Sequence, residues 1–468
     1  MAAGVIGVIE LFIPTPKELK SGVRFYAFPV LLVLSACGKP AYQGPPALVI
    51  GIDGLEWSVM EKLLNKGELP HFQTLLERGV GGSLQTHRPT FSPVLWTTMA
   101  TGREKEDHGV PHFLPVDENG KPIPGGLPYT SNTRRVPAIW NLTADGGRDV
   151  LAVAWWVSWP AEEVKNARIV SSYAAQVQGN ILWKAGIWEE GLPELTYPDS
   201  LQEELVPILA AGAPLGPLRA DYQAIFGQVP REKGWGFPIR RDRLFRVTYH
   251  ADRTHGQIMN QLLEEKVADL NMVYFGLADV AGHFYWRYRE PSRFGYPIPL
   301  EHSQLLGDHI DKAYRFMDQA VGALIARVPP ETFIMVVSDH GMHAANLTSP
   351  KHPQSGGHED APDGVIILAG PDVRNQGLLG VDSRRLGDIL DVTPTLLDFL
   401  CLPASPAMPG KSMRENFLAS WRDAHPALPA EESVGQGFRP ATPARQPGTD
   451  ANQQFLQGIK EMGYIGEE

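Results

Sequence analysis

Three apolar runs in this chain end in aspartate: ALVIGID at Asp53, MVYFGLAD at Asp279 and FIMVVSD at Asp339. His283 follows the second run and His340 follows the third directly. A short, continuous apolar run reads as a strand buried on both faces, and such strands belong to largely parallel sheets. In an open α/β sheet the ligand-binding groups stand just beyond the carboxyl ends of the strands. Acids at three such ends can therefore converge on one place, although Asp53 and Asp339 lie far apart in the sequence. With two imidazoles beside them, the expected product of that convergence is a metal site.

Strand and helix signals alternate through the rest of the chain. Helices are expected at Trp57–Asn65 and Pro70–Arg78, parted by Gly67-Glu68-Leu69, and near Val94–Thr101, Val247–Lys266, His302–Arg327 and Arg385–Leu400. Besides Ala47–Asp53, strands are expected at Val150–Trp156, Met272–Leu277, Thr332–Ser338 and Val365–Ala369. This order predicts an α/β fold, a doubly wound, mostly parallel sheet with helices on both faces. From about Gln176 to Arg246 the pattern gives way to Pro, Gly and scattered aromatics such as Trp183, Trp188 and Trp235, as expected of a cap inserted over the site. The expected organisation is a catalytic core over 37–175 and 247–415, interrupted by the cap at 176–246 and followed by an extension over 416–468. That extension is Pro- and Gln-rich from Ala424 to Asn452, a strap, with a short helix around Gln453–Met462.

The first residues carry an address rather than a fold. Phe25–Ala36 (FYAFPVLLVLSA) is too short to span a bilayer and fits the apolar region of a signal peptide, so 1–36 is expected to be a leader. The residues before it fit poorly, with their own apolar stretch and with Glu10 and Glu18; a start at Val23 would give a short head carrying Arg24. Leu34-Ser35-Ala36-Cys37 resembles the lipobox of bacterial lipoproteins, which implies lipid attachment at Cys37, a membrane anchor and a place in the cell envelope. Two acyl chains on one cysteine suffice for stable anchoring. Gly38, next in line, is not the aspartate that in lipoproteins favours inner-membrane retention. Loss of the leader removes three cations and two anions and moves the formal charge from −11 to −12. So acidic a chain, without a Lys/Arg run, is not expected to bind nucleic acid. Cys401 is the only other cysteine, so no disulfide is expected.

The chemistry concentrates at three places. In Thr90-Phe91-Ser92-Pro93, Ser92 is expected to cap a short helix that runs to Thr101 and is closed by Gly102, with proline and glycine at the ends where each is favoured. A hydroxyl there faces unpaired backbone N–H groups and the positive end of the helix dipole, which suit an alkoxide or a phosphate. Asp279-Val-Ala-Gly-His283 sets a carboxylate and an imidazole four positions apart, with Gly282 allowing close approach. Ser338-Asp339-His340-Gly341-Met342 offers both ligand types in tandem; these point apart unless a turn gathers them or each serves a different centre.

Over roughly Ala47–Ser412 these motifs resemble the alkaline phosphatase superfamily, in particular its type I phosphodiesterase and nucleotide pyrophosphatase branch. The resemblance implies one metal bound by Asp279, His283 and a third histidine, and a second bound by Asp53, Asp339, His340 and the nucleophile oxygen. The nucleophile of that family lies nine residues before the threonine of a Thr-Gly pair; counting back from Thr101 reaches Ser92, with Thr90 as the rival. For the third histidine His358 is chosen, ahead of His352 and His343, because it precedes an Asp-Gly pair and the strand Val365–Ala369. His108 matches a structural position of the branch. One departure stands out: where characterised phosphodiesterases carry an asparagine for the phosphoryl oxygen, this chain has Pro93-Val94-Leu95, and Arg88 or a residue of the cap is left to replace it.

The resemblance thus implies a metal-dependent phosphoric ester hydrolase, of phosphodiesterase or nucleotide pyrophosphatase type, with two divalent ions, Ser92 as nucleophile and a phosphoryl-enzyme intermediate. Zinc is the expected metal, with Mn²⁺ or Mg²⁺ as alternatives at the oxygen-rich position. The substrate is expected to be a phosphate ester of a nucleotide, lipid headgroup or envelope polymer. Phosphomonoesterase or phospho-headgroup transferase of the same superfamily is the alternative. A sulfatase is disfavoured, since no arginine follows Ser92-Pro93 at the required spacing. A reading of another class is an inactive, envelope-anchored scaffold lipoprotein.

Overall fold

The computed structural model describes residues 42–118, 121, 123, 128–175, 183–184, 187–188, 194–212, 219–230, 236–360 and 362–440. The leader over 1–36, lipid attachment at Cys37, parts of the expected cap including Trp235, and the short helix expected around Gln453–Met462 lie outside them. The frame is a ten-stranded mixed sheet. Its strands in chain order are β1 (Ala47–Ile52), β2 (Gly79–Gln85), β3 (Val150–Val153), β4 (Ala167–Val170), β5 (Thr196–Tyr197), β6 (Leu270–Phe275), β7 (Phe333–Val337), β8 (Gly364–Ala369), β9 (Gly377–Leu378) and β10 (Arg385–Asp388). Across the sheet the order is β9-β2-β8-β7-β1-β6-β3-β4-β5, with β10 also beside β2.

The five central strands, β7 to β4, are parallel, whereas β8 runs against both β7 and β2. Every residue of β1, β6 and β7 is buried, as strands covered by helices on both faces must be. This is the doubly wound, mostly parallel architecture expected. Register does the work that matters for chemistry. Ile52 pairs with Phe275 and Gly51 with Val337, so β1, β6 and β7 end at one level. Asp53, the turn after Phe275 and the turn after Val337 therefore emerge on the same edge.

Six helices set the surroundings: α1 (Trp57–Leu64), α2 (Pro70–Glu77), α3 (Ser92–Thr101), α4 (Gly236–Glu265), α5 (Leu277–Arg289) and α6 (His309–Ile325). All ten residues of α3 are buried, which explains its lack of an amphipathic stripe. Its Trp96 lies against β1 at Gly51, where a Cβ would come within 2.6 Å of the indole. Helix α4 continues through the boundary expected at residue 246. Among the described residues no helix is long and apolar enough to cross a membrane, and Cys401 is a free thiol.

Several expected elements are corrected. Ser92 is the first residue of α3 and Phe91 takes the N-cap position, with no side-chain cap bond. The strand expected at Met272–Leu277 ends at Phe275, and Leu277 begins α5, with Asp279 in its first turn. The stretch Arg385–Leu400 divides into β10 and a helix at Val392–Phe399, because β2 supplies an edge for Arg385–Asp388 to pair with. The stretch His302–Arg327 breaks at Gly307 into Leu300–Leu306 and α6.

Candidate metal centre

Each side chain of the site owes its place to a strand end. After β1, Asp53 is followed by Gly54 in the left-handed region (φ 71°), where a Cβ would lie 2.7 Å from Cα of Asp279. Only glycine lets the two turns pass so closely. Oδ2 of Asp53 accepts hydrogen bonds from Tyr274 Oη (2.6 Å) and Trp96 Nε1 (3.1 Å), while Oδ1 lies 3.4 Å from His340 Nε2.

After β7, the tandem Asp339-His340 is gathered by a turn. The Ser338 hydroxyl accepts from Leu55 N (2.9 Å) and donates to the His340 carbonyl (3.0 Å), and the Glu56 carboxylate accepts from Met342 N (3.2 Å). Both side chains then face one point, with His340 Nε2 3.4 Å from Asp339 Oδ2. After β6, the first two turns of α5 place Asp279 and His283 on one face, Nε2 to Oδ1 at 3.3 Å. The Asp252 carboxylate on α4 accepts from Gly276 N (3.0 Å) and Leu277 N (2.7 Å) and so holds the start of that helix. His358 comes from the loop before β8 and stacks on His340, ring centroids 4.1 Å apart, with His283 at 4.9 Å.

Two sets of three ligand atoms lie within 4.8 Å of one another, Asp53 with Asp339 and His340, and Asp279 with His340 and His358. His283 joins the second set through Asp279. All six residues are at most 1 % exposed, and so is Ser92. The imidazoles are oriented from behind. Nδ1 of His283 faces the Gly356 carbonyl (3.1 Å), Nδ1 of His340 the Gly341 carbonyl (3.1 Å) and Nδ1 of His358 the Thr90 hydroxyl (3.0 Å). With Nδ1–H donating to these oxygens, Nε2 is the ring atom turned to the cluster, the arrangement usual for ligating histidine.

Ser92 stands between two positions tied to the cluster, Thr90 through His358 and Trp96 through Asp53. Its Oγ has no hydrogen-bond partner among the described residues. Thr90, the rival for the nucleophile, has its hydroxyl on His358, close to both Nδ1 and the carbonyl. His343 and His352 stand outside the two ligand sets. His343 directs Nδ1 to the Ala344 carbonyl and His352 accepts from Gln354 N, in the loop whose carbonyls Arg287 holds. His108 is a buried link between Thr98 Oγ and Val110 N, in keeping with a structural role.

The electrostatics favour a bound cation. Burial, then the charge of Asp279, pushes the Asp53 carboxyl upward, and burial and Asp53 push Asp339 well above the usual carboxylate range. Burial lowers His283, but the adjacent Asp279 outweighs it and the net direction is upward. Burial and the neighbouring imidazoles drive His358 far down, so it is a neutral donor near pH 7. Carboxylates this close and this dry are stable as anions only with positive charge among them. A donor set of imidazole nitrogens and carboxylate oxygens fits divalent ions of the zinc type.

Tyr274, Trp96, Glu56 and Ser338 escaped the sequence reading as parts of the site, although Ser338 stands inside the tandem motif; Thr90 figures there only as a rival nucleophile and not as the partner of His358.

Residues 47–355 match the model of a family described as type I phosphodiesterase / nucleotide pyrophosphatase. No curated protein matches in sequence. Among solved structures, the chain is similar to murine ectonucleotide pyrophosphatase / phosphodiesterase 5, crystallised as an inactive variant with AMP, at 12 % identity and TM-score 0.45, covering 80 % of this chain and 100 % of that one. It is similar to the alkaline phosphatase PafA at 10 % identity and TM-score 0.49, over 81 % and 100 % of the two chains. Phosphonoacetate hydrolase from Sinorhizobium meliloti matches at 17 % identity and TM-score 0.36, over 65 % of this chain and 59 % of that one.

Proposed function

Since the chain belongs to the type I phosphodiesterase / nucleotide pyrophosphatase family, we propose that it hydrolyses phosphodiesters or pyrophosphates at the buried cluster, with Ser92 as nucleophile. The observation that carries this reading is Ser92 Oγ, a fully buried hydroxyl with no partner among the described residues, placed in the chain between Thr90 and Trp96, which bond His358 and Asp53 of the cluster. In a core, a hydroxyl left without a partner costs about 1–3 kcal/mol; Thr143, Ser171 and Thr332 also bury one, and what sets Ser92 apart is its place between Thr90 and Trp96.

Asp53, Asp339 and His340 would hold one divalent ion, and Asp279, His283 and His358 the other. When bound, the pair supplies the positive charge that lowers the pKa of the serine hydroxyl and neutralises phosphoryl oxygens. The protein supplies the rest. The start of helix α3 at Ser92 contributes the positive end of its dipole rather than open N–H groups, since Pro93 has no N–H and those of Val94 and Leu95 are taken by the Phe91 carbonyl. Ser92 would take that group, the alcohol or phosphate leaves, and water then cleaves the phosphoserine. Closure of the cluster to solvent strengthens every charge inside it. Val94 and Leu95 are buried apolar residues, so no amide answers the phosphoryl oxygen from this turn. The Arg88 guanidinium, 3.2 Å from the His358 carbonyl at the edge of the site, is a side chain suited to that task.

The test is hydrolysis of a nitrophenyl phosphodiester, beside monoester and sulfate probes, by the protein loaded with Zn²⁺ or Mn²⁺. Loss of diester turnover in Ser92→Ala with metal content unchanged supports the reading; full activity in that variant defeats it. A preference for the monoester would favour a phosphomonoesterase. We further propose that the chain is an exported lipoprotein held in the envelope through Cys37, on the strength of Leu34-Ser35-Ala36-Cys37. Cys37→Ala should leave the protein unlipidated and extractable without detergent.

A further inference from the structure

The two carboxylate oxygens of Asp53 are treated differently. Oδ2 receives Tyr274 Oη at 2.6 Å and Trp96 Nε1 at 3.1 Å, while Oδ1 faces His340 Nε2 at 3.4 Å. The donors come from separate elements, Tyr274 from β6 and Trp96 from α3, one turn after Ser92. Each is held rigidly: the two rings meet edge to face with centroids 5.0 Å apart, and Trp96 meets Trp155 at 5.1 Å. An indole N–H can only donate, and two donors occupy the two lone pairs of one oxygen.

We propose that Tyr274 and Trp96 are positioning residues that reserve Oδ2 and present Asp53 to a cation through Oδ1 alone. The cation position shared by Asp53, Asp339 and His340 is thereby biased towards a four-ligand ion such as Zn²⁺ and against ions that collect six oxygens. Released from the clamp, Asp53 is free to chelate through both oxygens, which suits Mn²⁺ better than Zn²⁺. The inference rests on the two-cation reading above.

The test titrates the metal-free, full-length protein with Zn²⁺ and separately with Mn²⁺. Bound equivalents are counted by elemental mass spectrometry and affinities measured by competition with a chromophoric chelator, so the readout does not depend on activity. Tyr274→Phe keeps the ring and removes only the hydroxyl. It is expected to leave one Zn²⁺ equivalent untouched and to weaken the other by roughly 10- to 100-fold, the usual scale for a lost partner of a ligand, with a smaller loss for Mn²⁺. Trp96→Phe should act in the same direction and carries the test if the first variant does not fold. Tyr222→Phe, which loses a buried bond to Asp242 elsewhere, should change nothing. Variants that bind both metals as the wild type does, or that weaken Zn²⁺ and Mn²⁺ equally, overturn the inference alone. A wild type lacking the second equivalent overturns the two-cation reading and this inference with it.

Discussion

Two groups of buried titratable residues flank the start of α5, and they solve burial in opposite ways. On α4, His250, Asp252 and His255 are as dry as the candidate metal centre. There the Asp252 carboxylate is met by backbone N–H groups, and burial lowers His250 to about 4 and His255 to about 3, so both rings are neutral. In the candidate metal centre carboxylates face carboxylates, and the imidazoles turn their Nδ1 atoms away to acceptors. Burial of polar groups therefore does not mark a site. The mark is like charge brought together, because such an arrangement keeps its charge only with a cation bound and otherwise takes up protons.

That contrast can be broken by experiment. The largest effect belongs to Ser92→Ala, which should lower kcat for a diester by on the order of 10⁶-fold, the scale seen when a serine nucleophile is removed, without loss of metal. Next comes His283→Ala, which should remove one of two metal equivalents and about 10²-fold of activity or more; two equivalents retained would exclude His283 as a ligand.

The third effect is on stability. Asp53, Asp339 and Asp252 all titrate above the ordinary carboxylate range, Asp252 at about 8, chiefly through burial. A carboxyl with a raised folded-state pKa stabilises fully below its unfolded value, near 4, and that contribution is lost as pH rises through the folded value. The metal-free protein should thus lose stability from about pH 5 to pH 8. Saturating metal, worth about 2.7 kcal/mol per site at a hundredfold excess over Kd, should rescue the cluster's share and leave that of Asp252, which Asp252→Asn alone removes. Urea midpoints at both pH values, with and without chelator, read this directly; equal slopes with and without metal would erase the distinction between the two regions. The smallest effect is Thr90→Val, expected to cost about tenfold in metal affinity through His358, and not the full turnover that loss of a nucleophile would cost.

The core of this fold is legible because β1, β6 and β7 are covered on both faces and so must be apolar throughout, with the acid marking where cover ends. The strand Gly79–Gln85 was not legible, since GVGGSLQ has no apolar rhythm. Its place comes from neighbours: at Gly79 a Cβ would strike the Leu368 carbonyl of β8, so glycine there serves close strand approach. Asp53, Asp279, His283, Asp339 and His340 could be read from local spacing. Tyr274 and Trp96 could not, because inside apolar stretches they look like any core aromatic until the fold shows what their polar atoms meet.

The most direct measurement is the metal content of the purified protein after chelation and reloading with zinc. Two equivalents per chain, falling to one in His283→Ala and staying at two in Ser92→Ala, is the predicted result. A chain that folds fully and binds no metal would contradict the account at its centre.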